Sequence, residues 1–356
     1  MTGLRLNHVR KIAVFRPNAV GDFMYCLPAL HALRHAYREA EIVYLGREWH
    51  RDFLRGRPGP VDRVIVVPPL PGIGIAVEER LRAGGQEQEF IAEMRELSFD
   101  IALQMYGGGR YANPLVQRWG ARMTAGMRSA DAAPLDRSIH YGSSVNRRLQ
   151  LLEVAALVGA RAGLGAEQLA VTARDRVAAA TLVPEQPWRP LVLLQPGATD
   201  SRRRWPADRF AAVGDCLAGH GMQVAVNGSA DETALVREVV SRMRHPAIDL
   251  AGRASLPALC GLIERSALVV SNDTGPLHMA LALGRPCVGV YWFSNLIESA
   301  PLWQAQHRAA LSLRTCCPVC GVENIRTRCS HEASFVDDVP LDEVAALALE
   351  LLHGCQ

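Results

Sequence analysis

Two runs of alternating strand and helix patterns, joined by a proline-rich stretch, predict an α/β protein of two Rossmann-like domains facing across a cleft. Three observations carry this. Short apolar strands alternate with helical patterns from Lys11 onward. The alternation breaks over residues 183–190, which hold three prolines, and then restarts at Leu191. At 356 residues the chain also has room for two domains of ordinary size. One large sheet with a long insertion is the alternative.

The first domain is expected to span residues 1–175. A strand at 11–15 leads through the polar loop 16–22 to a helix at 23–35, whose apolar face carries Leu27, Leu30 and Leu33. Gly21 and Asp22 stand at that strand-to-helix mouth, where open α/β sheets place ligands, although Asp22 could simply cap the helix. Strands at 42–45 and 64–67, a helix at 86–97 and a strand at 100–105 follow. The loop 106–111 carries three successive glycines, Arg110 and two tyrosines including Tyr111. It is either a substrate loop or only a flexible turn. A helix at 113–119, a short strand at 123–126 and a helix at 146–158 complete this array, and a linker is expected at 176–190.

The second domain, 191–340, restarts with a strand at 191–194, a loop at 195–204, helices at 207–219 and 232–243, and a strand at 223–226. A helix at 256–266 follows a strand end at 249–250. The stretch 267–291 then makes a strand, a polar turn, an apolar helix and a second strand. Thr274 and Gly275 lie where the first helical N–H groups have no intrahelical partner and the helix dipole is positive, so a phosphate fits there. Asp273 precedes them as an N-cap or site residue, and His278 faces the same mouth. An ordinary turn with a capping Asp and a surface His is the plainer reading. Earlier, the loop 196–204 (PGATDSRRR) offers Thr199, Ser201 and three arginines. Arg203 or Arg204 could hold a diphosphate in a forked grip, unless the loop is only a solvated basic one. Two anion-friendly turns on one sheet edge suggest a diphosphate. Glu232, four residues past the Gly228 turn, is placed to accept ribose hydroxyls, or merely enriches a first helical turn. The apolar helix at 341–352, within a closing segment 341–356, is expected to pack back on the first domain.

A formal charge of +3 is too small to argue for nucleic acid, and Lys11 is the only lysine in a chain that otherwise uses arginine. The amino terminus lacks a long apolar leader, and no run of about 18 apolar residues occurs, so the expected location is cytoplasmic or at a membrane surface. A dinucleotide-dependent dehydrogenase is disfavoured, because no G-x-G-x-x-G follows the first strand. Of nine cysteines, Cys26, Cys216, Cys260 and Cys287 lie singly in element patterns and read as small buried hydrophobes. Cys316, Cys317, Cys320 and Cys329 cluster late. Cys317-x-x-Cys320 has metal-knuckle spacing, which Cys329 with His331 or Cys316 could complete as a structural zinc or iron site; free thiols in a loop are the alternative. A stable disulfide is disfavoured in a reducing cytoplasm.

The sequence resembles glycosyltransferase family 9, the ADP-heptose heptosyltransferases of lipopolysaccharide assembly. The matching pieces are PNAVGDFMYCLPAL, LQPGATDSRRRWPADRFAAV, NGSADE, LAGRASLPALCGLI and VSNDTGPLHMALALGRPCVGVY, in the family's order, while residues 104–150 match poorly. The resemblance implies a GT-B type fold with an acceptor-binding first domain and a sugar-nucleotide-binding second domain. It implies an inverting transfer with no cofactor required for catalysis. Carried over residue by residue, Asp22 is the general base, Arg203 stands where the family has Lys, Glu232 holds the ribose, and Asp273, Thr274, Gly275 and His278 bind phosphate. Thr199, Ser201, Arg204 and Gly228 complete the expected donor side; Asn18, Arg110 and Tyr111 are the acceptor-side candidates. ADP-heptose is the implied donor. A glycan or lipid-linked glycan such as lipopolysaccharide core, met at the cytoplasmic face of the inner membrane, is the implied acceptor. Relatives that bind iron at such cysteines make iron an alternative to zinc. Another nucleotide sugar, another acceptor, or a non-catalytic sugar-nucleotide-binding protein are the competing readings, and a carboxylate at position 22 favours an enzyme.

Overall fold

A computed structural model describes residues 5–76, 85–142, 144–161, 168–302, 305–325 and 327–354. The chain forms two compact units, Met1–Gly165 and Ala166–Gln356.

In the first unit, β1 (Lys11–Phe15), β2 (Glu41–Gly46), β3 (Arg63–Val66), β6 (Ile101–Gln104), β7 (Met123–Arg128) and β8 (Arg137–His140) build one parallel sheet in the order β3-β2-β1-β6-β7-β8. The two-residue strands β4 (Leu70–Pro71) and β5 (Gly74–Ile75) pair beside it. The helices are α1 (Val20–Ala36), α2 (Glu48–Leu54), α3 (Gln86–Glu96), α4 (Ala112–Gln117) and α5 (Arg147–Leu157). Ile12, Ala13, Val14 and Phe15 are all fully buried, as are Ile101, Ala102 and Leu103. Central strands of a parallel sheet are covered on both faces, so a continuous apolar run, not an alternating one, specifies them. Asn146 caps α5 by accepting from the Arg148 and Leu149 amides at 3.1 and 3.3 Å.

The second unit repeats the plan. Strands β9 (Leu191–Gln195), β10 (Gln223–Val226), β11 (Ala247–Asp249), β12 (Leu268–Asn272), β13 (Cys287–Trp292) and β14 (His307–Ser312) are parallel in the order β11-β10-β9-β12-β13-β14. Its helices are α6 (Ala173–Leu182), α7 (Ala207–Gly219), α8 (Thr233–Arg242), α9 (Leu256–Arg265), α10 (Gly275–Ala282), α11 (Phe293–Ser299) and α12 (Leu341–His353). Each sheet therefore starts in its middle, winds one way for three strands and then the other way. A ligand crevice opens where the direction reverses, beyond the carboxyl ends of the two central strands. In the first unit those ends lead to the loops after β1 and β6; in the second they lead to the loops after β9 and β12.

Several expectations change. The region read as a linker holds α6, whose Thr172 and Asp175 form a reciprocal capping box and whose Arg176 pairs with Glu264 of α9 at 2.9 Å. The unit boundary falls before it, near residue 165. The closing helix, expected to return to the first domain, belongs to the second unit: Val344, Ala348 and Leu351 of α12 are buried in the core built on Val192, Trp205, Phe210 and Val290. Cys26, Cys260 and Cys287 are buried as read, while Cys216 is only half-buried. Among the described residues, no helix is long and apolar enough to cross a membrane.

Candidate active site

At the reversal point of the first unit, Asp22 lies in the opening turn of α1, and Ala19 occupies the N-cap position without a side-chain bond. Asp22 is therefore not the cap. Its carboxylate instead accepts from Arg16 Nη2 at 2.8 Å, while Arg16 Nε donates to the Asp22 carbonyl at 3.0 Å. The third arm of the fork, Nη1, donates to the carbonyl of Met105 at the end of β6. Arg16 is 4% exposed, whereas the Asp22 side chain keeps a third of its surface open. One buried guanidinium thus ties the loops after both central strands together and holds a half-open carboxylate over them. Arg16 is not singled out by sequence pattern alone; its place as the first residue after β1 is the signal that points to it.

Asn18, in the same loop, has a buried side-chain oxygen with no partner among the described residues. Arg110 pairs with Asp131 at 3.6 Å and lies over the Tyr111 ring at 5.4 Å. Arg110 and Tyr111 together border two cavities. One, of about 220 Å3, is lined by Leu70, Ile73 and Leu115 together with the charged Glu87 and Arg118. The other, of about 240 Å3, includes Tyr106, Ser129, Asp131 and Tyr141. The glycine run that lines the second cavity has packing reasons of its own: Gly109 has φ +88°, and a Cβ there would lie 2.3 Å from Asn113 Oδ1.

At the reversal point of the second unit, the loops after β9 and β12 are latched together by Asn272, a fully buried residue that the sequence reading passed over. Its Nδ2 donates to the Pro196 carbonyl at 2.7 Å and its Oδ1 accepts from the Trp205 amide at 3.1 Å. The three arginines of the loop then separate in role. Arg202 is consumed by Asp200 at 2.6 Å and sits over the Trp292 ring at 5.6 Å. Arg204 Nε braces the loop against the Ala198 carbonyl at 2.9 Å. Arg203 reaches across to the residue after β12, donating to the Asp273 carbonyl at 3.1 Å and to Asp273 Oδ2 at 3.4 Å, while its Nε is buried with no partner among the described residues.

Asp273 is buried and does not cap α10; Thr274 occupies that position in extended conformation, without a side-chain cap bond. The carboxylate accepts from the Ser299 hydroxyl at 3.0 Å and meets His278 Nε2 at 2.9 Å. Burial alone would raise its pKa, but the His278 hydrogen bond and charge, the Arg203 charge and the Ser299 hydroxyl outweigh burial and hold it below the ordinary carboxylate value. His278, expected at an open mouth, is 1% exposed and serves this buried pair. Above it, Thr274, Gly275 and the start of α10 remain half-buried, with the first helical amides directed outward as helix geometry requires.

Glu232 closes the other side of the loop. Its Oε2 accepts from the Ser229 amide at 2.9 Å in a capping box, and its carboxylate lies so close to Gly197 that a Cβ there would fall 2.1 Å from Oε1. Gly228 is tight as well, its Cβ position lying 2.6 Å from Val236. Thr199 is exposed, and the Ser201 hydroxyl is engaged by Glu332.

The late cysteines converge. Cys317, Cys320, Cys329 and His331 each place one ligand atom within 4.8 Å of the others, which selects His331 over the exposed Cys316. His331 Nδ1 is buried and has no hydrogen-bond partner among the described residues. The Asn324 side chain chiefly, and then the His331 amide, hold the Cys329 thiol below its ordinary value. Three sulfurs and one imidazole, four donors in all, fit a tetrahedral zinc or iron ion.

The sequence profile of "Glycosyltransferase family 9 (heptosyltransferase)" matches residues 88–326. Lipopolysaccharide heptosyltransferase 2 of Salmonella typhimurium is 27% identical over 362 residues, covering 96% of this chain and 99% of that one. Among solved structures, the Escherichia coli ADP-heptose LPS heptosyltransferase II superposes with a TM-score of 0.74 at 22% identity, covering 97% and 99% of the two chains. The iron-containing dodecameric glycosyltransferase TibC of enterotoxigenic E. coli superposes with a TM-score of 0.59 at 13% identity, covering 99% of this chain and 78% of that one. With the family profile spanning most of the chain and both sheets folded as in GT-B enzymes, this protein belongs to glycosyltransferase family 9 and is a glycosyltransferase.

Proposed function

We propose that this enzyme moves a heptose from ADP-heptose to a hydroxyl of a lipopolysaccharide-core glycan, inverting the anomeric carbon, on the cytoplasmic side of the inner membrane. The observation that carries the donor half is Arg203: a guanidinium held by Asp273 beside the start of α10, with a buried Nε that has no partner among the described residues. Donor and acceptor identities follow the names of the relatives, an ADP-heptose enzyme and a lipopolysaccharide heptosyltransferase.

As the glycosidic bond breaks, the electron pair leaves with the diphosphate, and negative charge grows on the oxygen being released. Arg203, the Thr274 and Gly275 amides and the positive end of α10 meet that charge, so they stabilise the transition state more than the ground state. They fill the role a divalent cation has in other transfers, so the reading needs no metal at the reacting phosphate. Glu232 takes the ribose hydroxyls; Thr199, Ser201, Arg204, Gly228, Asp273 and His278 shape the pocket around the nucleotide. On the first unit, Asp22 accepts the proton of the acceptor hydroxyl as its oxygen forms the new bond. Asn18, Arg110 and Tyr111 contact the acceptor. Away from the reaction, Cys317, Cys320, Cys329 and His331 hold a structural zinc or iron, iron being named for TibC of the same fold.

Asp22→Ala tests the mechanism. It should bind ADP as the parent does while transfer from ADP-heptose falls by about two to four decades. Unchanged turnover removes Asp22 from the chemistry. A thermal-shift panel tests the donor: selective stabilisation by ADP supports the reading, and a preference for UDP or GDP replaces the donor.

A further inference from the structure

The donor loop is anchored on two sides, and only one of them belongs to the sheet. On the inner side Asn272 holds Pro196 and Trp205. On the outer side a set of anchors comes from the segment that carries the cysteines. The Phe335 amide donates to the Arg202 carbonyl at 2.7 Å, the Ser334 hydroxyl donates to the Arg204 carbonyl at 2.7 Å, and Glu332 takes the Ser201 hydroxyl. Arg202 Nη1 reaches Asn324 Oδ1 at 3.5 Å. Asn324 faces the other way as well: its Nδ2 lies 3.4 Å from Cys329 Sγ and its Oδ1 accepts from the Cys329 amide at 3.4 Å. Arg203 is thus flanked by two residues whose backbone or side chain is pinned to the neighbourhood of Cys329 and His331.

That outer anchor has little fold of its own. Between β14 and α12 lie 28 residues in which the described backbone forms a single isolated bridge, Cys316 to Glu323, and a few turn bonds such as Cys317 to Val322. A segment with so few ladder bonds is ordered by what cross-links it. An ion held by Cys317 and Cys320 on one arm and by Cys329 and His331 on the other closes that loop, and its binding energy becomes folding energy for the segment. The ordering reaches the donor loop through the residues that lie directly behind the ligands.

We propose that the Cys317/Cys320/Cys329/His331 knuckle, once loaded with metal, fixes the donor loop through Asn324, Ser334 and Phe335, so that metal and nucleoside diphosphate bind with positive coupling. This rests on the reading of the knuckle as a metal site and of the loop as the diphosphate site. Metal binding releases the remaining thiol protons and changes no oxidation state. Because linkage is reciprocal, ADP must tighten metal by the same factor by which metal tightens ADP. Asn324 and Ser334 are positioning residues: neither is a ligand to the ion, and neither is placed on the nucleotide.

The test uses full-length protein purified without a histidine tag, stripped by a chelator and reloaded with Zn2+ or with Fe2+ under anaerobic conditions. Metal content comes from elemental analysis, and ADP affinity from calorimetry on both forms. The expected result is one equivalent of metal and ADP affinity about tenfold higher in the loaded form. Asn324→Ala with Ser334→Ala should keep the metal, yet show the same weak ADP affinity loaded or stripped. Equal ADP affinity of the two wild-type forms, with the metal demonstrably bound, overturns the coupling and leaves both sites standing. Failure to retain metal overturns the metal site and the coupling with it; failure of both forms to bind ADP overturns the donor reading instead. If stripped protein loses its fold, measured by circular dichroism, the double variant in the loaded state decides: ADP affinity equal to the parent's overturns the proposal.

Discussion

Arg16 Nη2 donates to Asp22 Oδ1 at 2.8 Å from a side chain that is 95% buried. All three arms of this guanidinium are engaged, two on Asp22 and one on Met105. Its work is to fix where the half-open carboxylate points. Replacing it by methionine keeps the apolar stem but frees Asp22 and leaves the Met105 carbonyl unpaired. Arg16→Met should lower kcat by about a hundredfold, the scale of a misplacement of about 1 Å, with ADP affinity unchanged. Arg16→Lys, which can make one of these contacts but not the fork, should recover only part of the rate. A loss of ADP affinity equal to the loss of rate would assign Arg16 a structural role alone.

Arg203 presents the opposite situation, a guanidinium with capacity left over. Arg203→Met removes a charged donor from the diphosphate reading and should weaken ADP by about 10- to 150-fold, equivalent to about 1.5–3 kcal/mol. Arg203→Lys should keep most of the affinity, because the charge survives and only the fork is lost. Calorimetry with ADP and with AMP separates the cases: the loss should be larger for the diphosphate. Equal losses for the two nucleotides would place Arg203 away from the outer phosphate.

How far the sequence carried depended on whether a feature was local. β1 and the β12–α10–β13 unit were legible to within two residues, because strands covered on both faces are continuous apolar runs and the turn carries Gly275 and Pro276. The edge strands β8 (RSIH) and β14 (HRAALS) were not, since a strand with one neighbour can be polar and its pattern then resembles a loop. α6 reads as a linker in sequence although Thr172 and Asp175 spell a capping box. Its mixed alanine and charge pattern has no sharp apolar stripe, and α9, the helix it pairs with, lies some 80 residues away in sequence. In the site, the types of Asp22, Arg203 and Asp273 were readable, but their partners were not. Whether His331 or Cys316 completes the knuckle was likewise a question of three dimensions, because spacing permits both.

Gly197 and Glu232 meet so closely that no side chain fits between them. Gly197→Ala should push the Glu232 carboxylate off the Ser229 amide, costing about 1 kcal/mol of stability through the lost capping box. If Glu232 holds the ribose, ADP affinity should fall as well, and ribose-free diphosphate should be unaffected. The pair is tested by a double-mutant cycle: with Glu232→Ala already in place, Gly197→Ala should cost little further ADP affinity. Additive losses would mean that the alanine disturbs the loop itself and not the carboxylate.

His50 gives the fold a pH dependence that is separate from the chemistry. It is fully buried in the first unit, stacked on Trp49 at 3.6 Å between ring centroids and close to Tyr44 and Phe23. Its Nδ1 accepts from the Arg47 amide at 2.9 Å, so the proton sits on Nε2, which has no partner among the described residues. Burial lowers its pKa from 6.5 to about 3, and the charges of Arg47 and Arg16 add to it. The unfolded chain therefore takes up a proton near pH 6.5 that the folded chain refuses until about pH 3. Between those values the unfolded state binds more protons, so this residue's contribution is complete above pH 6.5 and is lost as the pH falls, by about 1.4 kcal/mol per pH unit at most. His50→Phe keeps the ring among its aromatic neighbours and removes the titration, but it orphans the Arg47 amide at about 1–3 kcal/mol. The informative quantity is the slope of stability against pH. Urea midpoints measured from pH 7.5 down to pH 4.5 should fall less steeply in His50→Phe than in the parent, the two curves converging or crossing on the acid side. Parallel curves would show that His50 takes its proton in the folded protein as readily as in the unfolded chain.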